Sequence, residues 1–294
     1  MKNFKTLYIV LIFVVTAIII AASIGFRFGF KRVGNFLNSP VSELVNVDVH
    51  SSSIPTESFS EIDIKADVCS FEIVRGEDYH VDYTYPININ PKVEVSNGTL
   101  EIEAKADTPG ININGNGFRS KDYKIIVYIP EGAALSEIKT DADFAEIDLS
   151  DIKVEKLHIE ADAGSIELEN IESGDTEIKT DAGEIKVRNS TLGDTDIESD
   201  AGNIELESCK AQSIKVSADL GNTELDNTTF IDGVFSSSMG NIKIDGTFDS
   251  VDADCSLGVV SIDADNPDAK INVEVELGSI EIDGKNIKGR SYNQ

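Results

Sequence analysis

Apolar residues stand at every second position through most of this chain. Leu157, Ile159, Ala161 and Ala163 alternate with polar neighbours, and after Gly164 the alternation resumes at Ile166 and Leu168. The same columns return as Ile178, Thr180, Ala182, Ile185 and Val187, then as Ile197, Ser199, Ala201, Ile204 and Leu206. They return once more as Val273, Val275, Leu277, Ile280 and Ile282. A period of two places alternate side chains on opposite faces of a strand. The pattern therefore predicts two short strands per repeat with one face inward. The glycine forms the corner between them, because a residue without Cβ turns there at little steric cost.

The repeat is visible in the letters themselves. EADAGSIELEN (160–170), KTDAGEIKVRN (179–189) and ESDAGNIELES (198–208) align without gaps. Gly164, Gly183, Gly202, Gly221 and Gly240 recur every nineteen residues, with Gly258 eighteen further on and Gly278 twenty beyond that. Earlier copies occur as DFAEIDL (143–149), with Ala145 in the glycine place, and as DVCSFEI (67–73). One such repeat buries too few apolar side chains to offset the ordering of its backbone, whereas stacked repeats share a continuous core. The expected fold is all-β: a parallel β-helix or solenoid of about eight in-register coils over residues 136–287.

Residues 41–135 have a different texture and read as a β-rich N-terminal cap. Within them KVEVSNGTLEIEAK (92–105) predicts a hairpin, since Asn97-Gly98 supplies the positive φ angles of a tight turn. SEIDIKADVCSFEIVRG (60–76) carries the column pattern of a coil, and DYKIIVYIPEG (122–132) reads as a strand ending in a turn. TPGININGNGFRS (108–120) is a Gly/Asn-rich loop. Residues 288–294 are expected to fray, with Lys285, Lys288 and Arg290 blunting the C-terminal edge.

Ahead of the cap, LYIVLIFVVTAIIIAASIGF (7–26) is free of charge and long enough to cross the ~30 Å hydrocarbon core as a transmembrane helix. Residues 1–6 then form a short cytoplasmic tail and 27–40 a juxtamembrane linker. A cleaved signal peptide is the alternative, with Ala21 and Ser23 near the cleavage point. Lys2 and Lys5 on one side balance Arg27, Lys31 and Arg32 on the other, so charge alone leaves the orientation open. The favoured arrangement is a single-pass protein of the cell membrane with an extracytoplasmic solenoid.

The formal net charge is −28. Taking the five cations of residues 1–32 from the total of 25 leaves 20 against 53 acids in the rest of the chain. This balance opposes binding to nucleic acid or anionic lipid and suits a cationic partner or divalent ions. Cys69, Cys209 and Cys255 are widely separated and lack metal-site spacing, so they read as small apolar fillers. His50, His80 and His158 are isolated, and His158 falls in an outward column, as a solvated residue. No nucleophile motif and no phosphate loop is present in the sequence. No catalytic, cofactor-binding or metal-ligating residue is assigned on these grounds, and no small-molecule substrate is identified.

One constellation remains. Asp143, Asp162, Asp181, Asp200 and Asp219 form a column two residues before the corners, expected to point outward and stack at ~4.8 Å. It reads either as a ladder for divalent ions or as strand-end aspartates that keep the surface soluble. The triplets at Asn97, Asn189 and Asn227 fit a glycosylation pattern that is common by chance.

Taken together, the DAG-x-I-E-L copies, the NGTLEI hairpin and the YIPEG turn resemble a bacterial family of unknown function labelled putative adhesin, over roughly residues 45–287. With the N-terminal apolar segment the chain is similar to membrane-anchored LiaG-like proteins. The resemblance implies a β-solenoid carried by an envelope protein and no catalytic residues. The function expected is adhesion, binding of an envelope protein or a cationic partner, or sensing of envelope stress. The alternatives are a polysaccharide-acting β-helix enzyme and a cytoplasm-facing scaffold of a membrane complex.

Overall fold

The computed structural model describes residues 48–105 and 122–294. The expected transmembrane segment, the linker after it and the Gly/Asn-rich loop lie outside the described residues. No helix among the described residues is long and apolar enough to cross a membrane. What is described is all β: fifteen strands joined in one sheet.

The N-terminal end contains β1 (Val49–Pro55), β2 (Glu61–Gly76), β3 (His80–Pro86), β4 (Lys92–Ser96), β5 (Thr99–Ala104) and β6 (Lys124–Pro130). β2 is itself a coil. Its first arm pairs in parallel with β5, Ile62 opposite Leu100 and Ile64 opposite Ile102, and its second arm with β6, Phe71 opposite Ile125. The hairpin forms as its sequence predicts: β4 folds antiparallel on β5 through Asn97 (φ 55°) and Gly98 (φ 85°). β3 lies antiparallel on β6, and β1 on β3. Phe71 and Tyr85 are fully buried in this end, and the Tyr85 hydroxyl donates to the Val68 carbonyl at 2.9 Å. Loss of water around it pushes the phenol well above its ordinary range.

The repeats follow as β7 (Leu135–Ser150), β8 (Lys153–Glu169), β9 (Glu172–Arg188), β10 (Asp194–Glu207), β11 (Ser213–Leu220), β12 (Thr223–Ala264) and β13 (Lys270–Ile282). They wind as about eight coils, and β2 seats on the first of them, Ile62 opposite Ile138 and Cys69 opposite Ala145. Equivalent side chains stand over one another: Ile159, Ile178, Ile197, Val216 and Phe235 in the first arm, and Ile147, Ile166, Ile185, Ile204 and Thr223 in the second. Every one of these is buried.

Close stacking, more than chain reversal alone, demands the glycines. A Cβ on Gly202 would sit 1.6 Å from the carbonyl oxygen of Gly183, and one on Gly183 would sit 2.1 Å from that of Gly164. From Gly164 onward the corners approach backbone to backbone, and only glycine fits there, whereas Cys69 and Ala145 hold the first places of the column.

The structure departs from the sequence reading at several places. Four successive coils have a third, short side: Glu172, Thr191, Lys210 and Thr229 bridge in parallel from one to the next. It begins at a second corner in which Asp151, Asn170, Asn189, Ser208 and Asn227 have φ between 49° and 57°. Asn and Asp tolerate this left-handed conformation better than other residues with a Cβ. Asn189 and Asn227 are thus corner residues, which explains two of the three glycosylation-like triplets without glycosylation.

The residue just before each glycine does not point inward as the alternation predicts. Ala182, Leu220 and Leu277 are exposed, and Ala163, Ala201, Met239 and Leu257 are half-buried. The coil-to-coil pairing steps from Ala161 opposite Thr180 to Ala163 opposite Ala182, passing over the aspartate between them. The chain bulges at that point, and two successive side chains face away from the core.

The C-terminal residues do not fray. β14 (Lys285–Ile287) covers the second arm of β13, and β15 (Ser291–Asn293) covers its first arm, both antiparallel. The last coil is therefore sealed by the chain itself, beyond any blunting by Lys285, Lys288 and Arg290.

Candidate interaction surface

Because the inner columns are filled, chemistry available to a partner is confined to the outer columns and corners. Asp143, Asp162, Asp181, Asp200 and Asp219 are all exposed, as the alternation predicts. Partial burial, then the charge of neighbouring aspartates, holds the carboxyls of Asp162 and Asp200 above their usual range. Ser238 continues the column and donates its hydroxyl to Asp219 at 3.0 Å. Among the described residues no group of three or more His, Cys, Asp or Glu side chains is placed to hold a metal ion.

Elsewhere on the outer faces, cations are set singly among acids. Lys215 bonds Asp196 at 2.9 Å and approaches Glu198 at 3.5 Å; Lys243 meets Glu224 at 2.6 Å, and Lys186 meets Glu184 at 2.8 Å. Lys153 pairs with Glu172 across one coil step. These exposed pairs reduce repulsion along the columns and contribute little stability individually.

His158 is outward, but it is not a solvated residue. Its side chain is 24% exposed, and Nδ1 lies 2.9 Å from Glu177. Hydrogen bonds from Lys179 and His158 hold the Glu177 carboxyl below its ordinary range. His80 stacks on Tyr128 with ring centroids 4.0 Å apart, and His50 meets Tyr83 edge-on. The structure does not bring the three histidines into one cluster: each has its own neighbours. Cys69, Cys209 and Cys255 are free and buried in the core. Burial pushes the Cys69 thiol up to about 12, a range in which the nucleophilic thiolate is scarce.

Sequence reasoning missed one exposed feature. The corner column before the glycines is apolar throughout, Phe144, Ala163, Ala182, Ala201, Leu220, Met239, Leu257 and Leu277, and over the last four coils its side chains are large. Leu220 is 36% exposed and Leu277 50%. The bulge turns what alternation reads as core into a ridge beside the Asp column.

The stacked coils, the glycine corners and the Asn97-Gly98 hairpin all lie within residues 59–293, which match the family described as Toastrack DUF4097. The chain belongs to the Toastrack family. No curated protein matches it. Three crystal structures share the Toastrack chain's fold at low identity. One is a "putative adhesin" from Bacteroides fragilis, 18% identical, with 81% of this chain and 98% of that one covered at a TM-score of 0.50. Another is a "putative adhesin" from Parabacteroides distasonis, 16% identical, with 80% and 97% covered at 0.51. The third, also from Parabacteroides distasonis, is a "putative lipid binding protein", 19% identical, with 82% and 96% covered at 0.52. At these identities the likeness is one of fold. The Toastrack coils here owe their shape to the glycine and asparagine corners described above.

Proposed function

We propose that this Toastrack protein is a non-catalytic binding module of the cell envelope, anchored by residues 7–26 and presenting its acidic solenoid outside the cytoplasmic membrane. The observation that carries the reading is the uniform build of the coils. Side chains stack in register from β7 to β13 on close-packed corners, which makes rigid, repetitive outer faces suited to contact along their length. Enzymes of repeat architecture place their chemistry on long loops around a groove, and the short corners between coils supply no such walls. The fold shared with the adhesin-named structures supports the same reading.

The anchor rests on the charge-free stretch in the sequence, and the outside placement on the tolerance of long domains for translocation whatever their charge. Protease treatment of intact protoplasts tests it. Digestion of the solenoid while a cytoplasmic marker survives is the expected result. A protected solenoid that is cut only after lysis would reverse the placement and favour a scaffold on the inner face.

A further inference from the structure

The ridge at the glycine corner is built for a particular kind of contact. Leu220 and Met239 are register partners, as are Leu257 and Leu277, and Gly240 stacks under Gly258 to join the two pairs. Four large apolar side chains therefore stand one per coil, ~4.8 Å apart, over ~14 Å of the solenoid. Acids stand at both ends of the line, where Asp219 precedes Leu220 and Glu276 precedes Leu277, while Ser238 and Ser256 precede Met239 and Leu257; Asp254 and Glu274, opposite one another, add charge on the adjoining arm. Asp254, Glu274 and Glu276 have no ion-pair partner among the described residues.

From this we propose that the ridge formed by Leu220, Met239, Leu257 and Leu277 docks a cationic amphipathic helix lying parallel to the solenoid axis. The spacing selects a helix. Residues three and four apart in a helix rise by ~4.5 and ~6.0 Å, so one apolar residue per turn stays in step with one ridge residue per coil over about ten residues. Alternate residues of a strand advance by ~6.6 Å and lose step after one coil. The sign selects the charge. Carboxylates beside the apolar line call for Lys or Arg beside the apolar stripe of the partner. A second copy of this chain, at a net charge of −28, and an anionic lipid surface are both repelled.

This inference rests on the binding-module reading but not on its topology. The test uses the full chain in phosphatidylcholine nanodiscs, with empty nanodiscs as the blank. The probe is a Leu/Lys amphipathic peptide of about 14 residues, a length at which isolated helices begin to hold. Its composition-matched scramble is the comparison. The amphipathic peptide is expected to bind at least about tenfold more tightly than the scramble, which corresponds to ~1.4 kcal/mol. Leu220→Ser with Leu277→Ser should remove most of that preference. Asp254→Asn with Glu274→Gln and Glu276→Gln should weaken binding about tenfold and flatten its salt dependence. Ala182→Ser, on the same column four coils before Leu257, should change nothing.

Circular dichroism of each variant checks that the coils persist. Equal binding of peptide and scramble, or full binding by the Leu220/Leu277 variant, would overturn the proposal in favour of unspecific charge attraction. Ridge-dependent binding to phosphatidylglycerol vesicles, or ridge-dependent self-association in sedimentation, would overturn it in favour of those occupants. A nanodisc leaves both bilayer faces accessible. Selective peptide binding beside a protease-protected solenoid would thus remove the outside placement alone, and loss of selectivity would remove the ridge alone.

Discussion

The side-chain oxygen of Asn222 accepts two hydrogen bonds from Asn241, one from its backbone N–H at 3.2 Å and one from its Nδ2 at 3.0 Å. Asn222 in turn donates to Asn203, and Asn241 accepts from the Val259 N–H at 3.1 Å. These residues follow the glycines; strand pairing lapses at Gly221 and Asn222, and the side-chain amides bridge the coils there. Asn222→Ala should cost about 1 kcal/mol, read as a lower urea midpoint with unchanged slope. Amide exchange at Asn241 should quicken. Unchanged protection of that amide would show that another group takes over the bond.

Two glycines with positive φ separate stacking from conformational freedom. Gly98 has φ 85° with nothing within 4 Å of its missing Cβ, so Gly98→Ala should cost only the left-handed strain, about 1–2 kcal/mol. A Cβ added at Gly202 would lie 1.6 Å from the Gly183 oxygen, a backbone atom that cannot rotate away. Gly202→Ala should cost more than about 4 kcal/mol, the range of severe overpacking. Thermal melts of both variants check the order. Similar losses at the two sites would mean that the coils can separate without penalty.

These corners also explain what could be read in the sequence. Ile159, Ile178 and Ile197 announce an inward column because alternation and burial coincide along a straight arm. Asn97-Gly98 announces its turn because few other pairs accept those angles. Leu257 and Ile262 look alike in pattern, yet Ile262 is buried and Leu257 is half-exposed. The difference arises in the bulge beside the glycine, which side-chain polarity does not record. The left-handed column was legible in principle, since Asn170, Asn189 and Asn227 share the nineteen-residue period. β15 was not, because three residues are too few to show alternation. The carboxylate column was placed correctly, whereas the apolar ridge beside it needed coordinates.

The core contains hydroxyls with nothing to bond. Thr195 and Ser199 are each 3% exposed, and neither Oγ has a partner. A buried donor left unmade costs free energy that a methyl of similar shape avoids. Thr195→Val and Ser199→Ala should each raise stability by about 1 kcal/mol in denaturant titration. Thr228 is the control, because its hydroxyl donates to the Asp226 carbonyl at 3.1 Å. Thr228→Val should be neutral or destabilising, and a gain there equal to that at Thr195 would discard the distinction.

The aspartate column gives stability a pH dependence of defined sign. Partial burial and neighbouring aspartates raise the carboxyl pKa of Asp162 and Asp200 in the folded chain. In the titration window the folded state therefore binds more protons than the unfolded one, so these two groups lower stability as pH rises through it. At neutral pH both are charged and the cost is fully present; below the ordinary carboxylate range both are neutral and it is gone. Asp162→Asn and Asp200→Asn should accordingly stabilise the fold at pH 7 by a few tenths of a kcal/mol each after solvent screening, read as a higher melting temperature. The gain should shrink in about 1 M salt, where the Debye length falls to ~3 Å, and vanish near pH 3. Destabilisation at pH 7, or a calcium-induced rise in melting temperature that Asp200→Asn abolishes, would show that the carboxylates are held for an ion and not merely tolerated at the corner.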